Sequence, residues 1–254
     1  MPKTSLRKSF IQLRNELPAS QAKIAAINAA DNFIKNIKLN KVKTIAFYHP
    51  IRGEIDPLPL LDKILAITHT PFSTRIWLFL KGKKLLTPLP KTLSLRKKSI
   101  IFSLPTVQSA SDPLLFHPWQ PGDKLIKNAI YPQLSEAEIQ KEHIIPDIIL
   151  VPLVAFDEHC HRLGYGAGFY DKTIRNIREQ GNKGVRAKGI REKGNKKVFL
   201  TILSYLIPYS LKPLTPLIIG YAYECQKSPT TLPTDPHDMQ LDYIVTDKAL
   251  YSSH

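Results

Sequence analysis

From residue 162 the chain reads RLGYGAGFYD. Arg162 is followed by Gly164, Gly166 and Gly168 in alternation with Leu163, Tyr165 and Ala167, and then by Phe169, Tyr170 and Asp171. Glycine at every second position lets a backbone approach a ligand closely and present successive N–H groups, which suits a polyphosphate. Arg162 can donate two parallel hydrogen bonds to one phosphate. Asp171 would repel phosphates unless a cation lay between them, and that points to Mg²⁺. The run is neither G-x-G-x-x-G nor G-x-x-x-x-G-K-[ST], so dinucleotide and Walker-type readings do not apply. A glycine-rich turn alone is structural as often as it binds anions; the arginine and the aspartate beside it favour the second use.

Two more places carry usable chemistry. In Arg52-Gly53-Glu54-Ile55-Asp56, Asp56 precedes Pro57 as a helix cap precedes a first-turn proline, which leaves Glu54 without a structural role. Near the start, Lys3, Arg7 and Arg14 recur at steps of four and seven and so share one helix face. His159, Cys160 and His161 cluster just before the glycine-rich run, but their spacing suits neither zinc nor a catalytic triad and they read as loop residues.

These residues need a frame. Leu6, Phe10, Leu13 and Leu17 predict a helix over 4–16, closed by Pro18, and a second over 20–36 with Ile24, Ile27, Ala30, Ile34 and Ile37 inward. Residues 43–48 read as a buried strand and 57–67 as a helix. Strands are expected at 75–80, 99–102, 114–117, 217–221 and 243–246, and 147–152 (DIILVP), apolar on both faces, reads as the central strand of a covered parallel sheet. The alternation predicts a three-layer α/β domain, in which ligands sit beyond the carboxyl ends of the strands.

Composition sets outer bounds. The 254 residues are 43% hydrophobic, enough for a substantial core and against disorder as the whole answer. Cys160 and Cys225 cannot form a disulfide framework, and the N-terminus is polar and basic, so a cytoplasmic protein without export signal is expected. The longest uncharged apolar stretch, 198–211, is broken by Ser204 and Pro208 and is too short to span a bilayer. The net charge of +15 favours anionic partners, but residues 172–197 supply over half of it, eight charges net. With Gly181, Gly184, Gly189 and Gly194 as breakers and no aromatics interleaved, that run reads as a solvated charge run rather than a nucleic-acid surface.

The run DIILVPLVAFDEHCHRLGYGAGFYDK, with the K-x-x-x-R start, the early G-E-I-D and the late Q-x₅-L-P-x₃-H-D, resembles the 5-formyltetrahydrofolate cyclo-ligase family, also called methenyltetrahydrofolate synthetase. The likeness runs from Lys3 to about Arg178 and again from Ile218 to Thr246. It implies a single domain over 1–254 with a basic insertion at about 179–213, and an α/β/α sandwich with a mostly parallel sheet, similar to the ribose-phosphate isomerase and coenzyme-A transferase group. It implies a monomeric, ATP- and Mg²⁺-dependent ligase that closes 5-formyltetrahydrofolate, including polyglutamylated forms, to 5,10-methenyltetrahydrofolate with release of ADP and phosphate. No nucleic acid and no membrane partner are expected.

By the same resemblance Lys3, Arg7 and Arg162 reach the ATP phosphates and serve catalysis, and Arg162 to Tyr170 form the ATP-binding loop. Tyr165 and Phe169 also touch substrate. Glu54 holds the folate, with His49 and Tyr48 beside it, and Asp171 and Asp238 hold Mg²⁺. Gln226 and Pro233 are expected to shape the pocket wall. The implied chemistry is transfer of a phosphoryl group to the formyl oxygen, attack by N10 and loss of phosphate, which asks the protein for alignment and charge neutralisation more than for a nucleophile. The chain departs from the family at Tyr131-Pro132, where a Glu-Pro is usual, at Lys172, where an arginine is usual, and in the insertion. The competing readings are a folate-binding homologue without turnover and a basic RNA-binding protein that uses the insertion.

Overall fold

The computed structural model describes residues 2–69, 100–138, 142–191 and 215–253. Its helices are α1 (Lys3–Asn15), α2 (Ala19–Asn36), α3 (Leu58–His69) and α4 (Phe169–Arg191). Its strands are β1 (Thr44–Ala46), β2 (Ile101–Thr106), β3 (Leu115–Pro118), β4 (Leu125–Lys127), β5 (Ser135–Ala137), β6 (Ile148–Val151), β7 (Ala155–Phe156), β8 (Arg162–Leu163), β9 (Leu217–Tyr221), β10 (Tyr243–Val245) and β11 (Leu250–Ser252). Seven strands form the main sheet in the order β11-β10-β9-β6-β1-β2-β3, parallel except for β3 and β11 at its two edges.

Successive residues of a strand point to opposite faces, so a strand buried on both sides must feed two cores. Ile45, Ile148, Leu150, Ile219 and Val245 pack with α2 and α3 on one face. Ala46, Ile149, Val151, Ile218 and Ile244 pack with Ile174 and Ile177 of α4 on the other. The three-layer architecture is therefore present. Asp147 clamps the middle of the sheet, its Oδ2 accepting from the Lys43 and Thr44 N–H groups at 2.7 and 2.9 Å and so locking β1 against the start of β6.

Gly220 in β9 shows how tightly the second face is filled. A Cβ there would stand 2.8 Å from Leu241 Cδ1 and 2.9 Å from both Ile244 Cγ1 and Leu153 Cδ2. Gly220→Ala is expected to destabilise by about 1–3 kcal/mol through overpacking, measurable by urea unfolding. An unchanged urea midpoint would show that the three side chains can withdraw.

Several expectations need correction. On α2 the buried face is Ala25, Ala26, Ala29, Ala30 and Phe33, whereas Ile24 and Ile27 are 58% and 47% exposed. Leu13 is exposed as well. The backbone of α4 runs helical through Gly181, Gly184 and Gly189 to Arg191, so these glycines do not break it. The expected strand at 75–80, the rest of the insertion over 192–213 and the whole apolar stretch 198–211 lie outside the described residues. Among the described residues no helix is long and apolar enough to cross a membrane. Both cysteines are free thiols.

Candidate active site

A cleft of about 470 Å³ opens beyond the carboxyl ends of β1, β2 and β6, where Tyr48, Pro105 and Pro152 reach it. One wall is the segment from Arg162 to Asp171, which runs from β8 into α4. The β7–β8 hairpin that launches this segment is fixed by Asp157, 1% exposed. Its carboxylate accepts from the N–H groups of His159, His161 and Leu232 and pairs with the His161 ring at 3.0 Å. These histidines thus belong to a turn organised by the buried Asp157, with the His159 side chain itself exposed.

Most of the site residues expected from the sequence line this one cleft: Lys3, Arg7, Tyr48, His49, Glu54, the whole run from Arg162 to Tyr170, Asp171 and Asp238. Gln226 and Pro233 do not. Gln226 is buried and uses its amide to bind the carbonyls of Leu153 and Val154 at 2.7 and 2.9 Å, while Pro233 is exposed. Tyr131, at the departure from the Glu-Pro pattern, also lines the cleft and meets the Phe169 ring edge-on at 5.3 Å.

The glycine-rich loop is shaped by two residues with φ in the left-handed range, Gly166 at 107° and Gly168 at 69°. Arg7 Nε donates to the Gly164 carbonyl at 2.7 Å, which docks α1 onto the loop. Arg162 is nearly buried and pairs with Asp171 Oδ1 at 2.9 Å. Burial lowers its pKa, opposed chiefly by the Asp171 charge, and its Nε has no acceptor among the described residues. A buried N–H without an acceptor is costly, and Arg162 as a whole lines the cleft, where a guanidinium suits a phosphate oxygen. Gly166→Ala should strain the loop by about 1–3 kcal/mol and lower the urea midpoint of unfolding. An unchanged midpoint in that variant would show that the loop accommodates a side chain there.

At the same end of the cleft Lys3 Nζ pairs with Asp235 Oδ2 at 2.6 Å and with Asp238 Oδ2. Burial works to lower the Lys3 pKa, but the hydrogen bonds to the two aspartates outweigh it and leave it raised. Burial likewise opposes, and the Lys3 hydrogen bond overcomes, so that Asp238 titrates below its ordinary range. The bonds to Asp171 from Arg162 and the Met239 N–H engage its Oδ1, and those to Asp238 from Lys3 and the Asp235 N–H engage its Oδ2. One oxygen of each carboxylate is left for a further ligand. No cluster of three or more His, Cys, Asp or Glu suited to a metal occurs among the described residues. Two carboxylates with one oxygen each unengaged among the described residues are donors of the kind Mg²⁺ takes when phosphate oxygens and water complete its shell.

The opposite end is built around Glu54, 7% exposed. Burial pushes its carboxyl up to about 7, against the stabilising Ile51 N–H, the Arg14 charge, the Tyr165 hydroxyl and Arg52. The Ile51 N–H donates to Glu54 Oε2 at 2.9 Å, and Asp56 Oδ1 accepts from the Leu58 N–H at 2.9 Å, so Asp56 does cap α3. Glu54 has a structural hydrogen bond after all. Arg14, Arg52 and Asp235 were not singled out as site residues from sequence. The spacing of Arg14 on the face of Lys3 and Arg7 was the one available signal for it.

A family model described as the 5-formyltetrahydrofolate cyclo-ligase family matches residues 1–190. Curated proteins named 5-formyltetrahydrofolate cyclo-ligase are similar to the chain. The one from Escherichia coli K12 is 23% identical over 244 residues, covering 94% of this chain and 97% of that protein. The one from Haemophilus influenzae is 30% identical over 179 residues, covering 67% and 76%. Among solved structures, the 5,10-methenyltetrahydrofolate synthetase of Aquifex aeolicus gives a TM-score of 0.61 at 22% identity, over 100% of this chain and 94% of that one. The Mycoplasma pneumoniae synthetase gives 0.56 at 20% identity, over 97% and 99%. At these identities the structures speak for the fold.

Proposed function

The chain belongs to the 5-formyltetrahydrofolate cyclo-ligase family, and from that premise we propose that its cleft closes 5-formyltetrahydrofolate to 5,10-methenyltetrahydrofolate with ATP, releasing ADP and phosphate. One observation carries the reading. A single cleft brings Arg162, the glycine-rich loop, Arg7 and Lys3 together with a buried carboxylate, Glu54, and Tyr165 of that loop lies within electrostatic reach of Glu54.

The chemistry follows from that division. The formyl oxygen on N5 attacks the γ-phosphorus of ATP and ADP leaves, giving a phosphorylated imidate. N10 then attacks the one-carbon centre, phosphate departs with the C–O bond, and N10 gives up its proton as the bridge closes. The protein aligns acceptor and γ-phosphate and neutralises the charge that develops. Arg162, Arg7 and the loop N–H groups supply fixed donors at the phosphate end. Asp171 and Asp238 would hold Mg²⁺, whose charge offsets that of the phosphates. Glu54 accepts from the N–H and amino groups of the reduced pterin, and Phe169 and Tyr165 offer ring faces to it. Both thiols being free suits a reducing, cytoplasmic setting.

The test is the near-ultraviolet absorbance of 5-formyltetrahydrofolate mixed with the protein, with and without ATP and Mg²⁺. A rise that requires all components supports the reading. Folded protein that binds the folate without any rise would leave a folate holder in place of an enzyme.

A further inference from the structure

Arg14 sits on α1 seven residues after Arg7, yet it does not line the cleft and is only 2% exposed. A guanidinium is expensive to bury, and although its Nε has no acceptor among the described residues its other contacts show what it is there to hold. It donates to the carbonyl oxygens of Arg52 at 2.6 Å and Leu153 at 3.3 Å and to the Tyr165 hydroxyl at 2.6 Å. Its guanidinium lies 5.8 Å from the centroid of the Tyr165 ring. Tyr165 and Glu54 lie within electrostatic reach of each other in turn. At Gly53, with φ at 75°, a Cβ would stand 3.1 Å from Asn15 Oδ1 and 3.9 Å from Arg14 Nε, so the turn that carries Glu54 lies directly against α1. Lys3 and Arg7, by contrast, are committed to Asp235, Asp238 and the Gly164 carbonyl at the phosphate end.

We propose that Arg14 is a positioning residue for the folate half of the cleft: its fork ties the Arg52 turn, the end of β6 and Tyr165 together, and so sets Glu54 and the Tyr165 ring at a fixed spacing without touching either substrate. The inference rests on the reading of the cleft as an ATP and folate site. It gives α1 two functions, with Lys3 and Arg7 at the phosphates and Arg14 at the pterin. A lysine cannot replace it, because a single ammonium on a flexible stem cannot span acceptors on three chain segments.

The test compares wild type with Arg14→Lys and Tyr165→Phe, reading the KM for each substrate, 5-formyltetrahydrofolate binding by calorimetry without ATP, and the melting temperature. Both variants are expected to raise the KM and Kd for 5-formyltetrahydrofolate by about 10- to 100-fold, the loss typical of a misplaced contact, while the KM for ATP moves less than about threefold. Equal rises for both substrates, or a lower melting temperature with neither constant changed, would reduce Arg14 to a packing residue. Should Arg14→Lys not fold, Arg14→Gln, which keeps one donor towards the Tyr165 hydroxyl, takes its place with the same readouts and the same two outcomes. Wild-type protein that binds no 5-formyltetrahydrofolate overturns the reading of the cleft and this inference with it. Wild-type binding with both variants unmoved overturns the inference only.

Discussion

Arg162→Met is expected to lower kcat/KM by a factor of about 10²–10³ or more, with a cooperative melt retained. The side chain lines the cleft, is 5% exposed and keeps one N–H without an acceptor among the described residues. Such a group is set in place before the reaction, so it stabilises charge that develops on the phosphoryl oxygens without reorganising. Asp171 is already 20% exposed beside Arg162 and also accepts from the Met239 N–H at 2.9 Å, which limits the structural damage when Arg162 is removed. Arg162→Lys should recover little, because an ammonium cannot hold Asp171 and a phosphate in one planar arrangement. The measurement is the absorbance assay at saturating ATP, where the deficit should appear in kcat as well as in KM. A lysine variant within threefold of wild type would mean that Arg162 acts only as a diffuse positive charge.

The phosphate end was the more legible of the two. Its chemistry lies within one contiguous run, and the fold adds the φ values of Gly166 and Gly168 and the pairing of Arg162 with Asp171. The parallel sheet was legible for a related reason: strands such as Ile148–Val151 are apolar on both faces and so announce two cores. What periodicity missed lies where size, not hydropathy, decides. On α2 the larger isoleucines suggested the inward face, yet the sheet and α3 come close enough that alanines face them and Ile24 and Ile27 remain outside. Arg14 escaped for the opposite reason. A basic residue on a polar stripe reads as solvated, and only the acceptors brought by Leu153, Arg52 and Tyr165 from distant parts of the chain make its burial tolerable. The short strands β4, β5 and β11 are held by pairing and carry too few apolar residues to show a period.

At the folate end, protonation of Glu54 should govern binding. Its carboxyl titrates at about 7, mainly through burial, with Arg14 from α1, Arg52 from its own turn and Tyr165 from the loop acting to lower it. Tyr48 after β1 and Tyr170 of α4 also lie within its electrostatic reach. Only the ionised carboxylate accepts from both pterin donors. Affinity for 5-formyltetrahydrofolate should therefore fall about tenfold per pH unit below 7 and level off above it. Calorimetry without ATP, whose γ-phosphate titrates in the same range, isolates this slope. Glu54→Gln should flatten the profile and weaken binding by about 10²-fold at pH 8, because its amide sets a donor against a donor. Stability should move the other way. Between the ordinary carboxyl range and 7 the folded state keeps a proton that the unfolded chain releases, so wild-type stability falls as pH rises through that window. A neutral glutamine escapes this loss, and the variant should exceed wild type at pH 8 by on the order of 3 kcal/mol and match it near pH 4. A variant that binds folate poorly and melts higher would mark Glu54 as a charge kept buried for its ligand. One that is less stable at every pH would instead make the Ile51 hydrogen bond its main purpose.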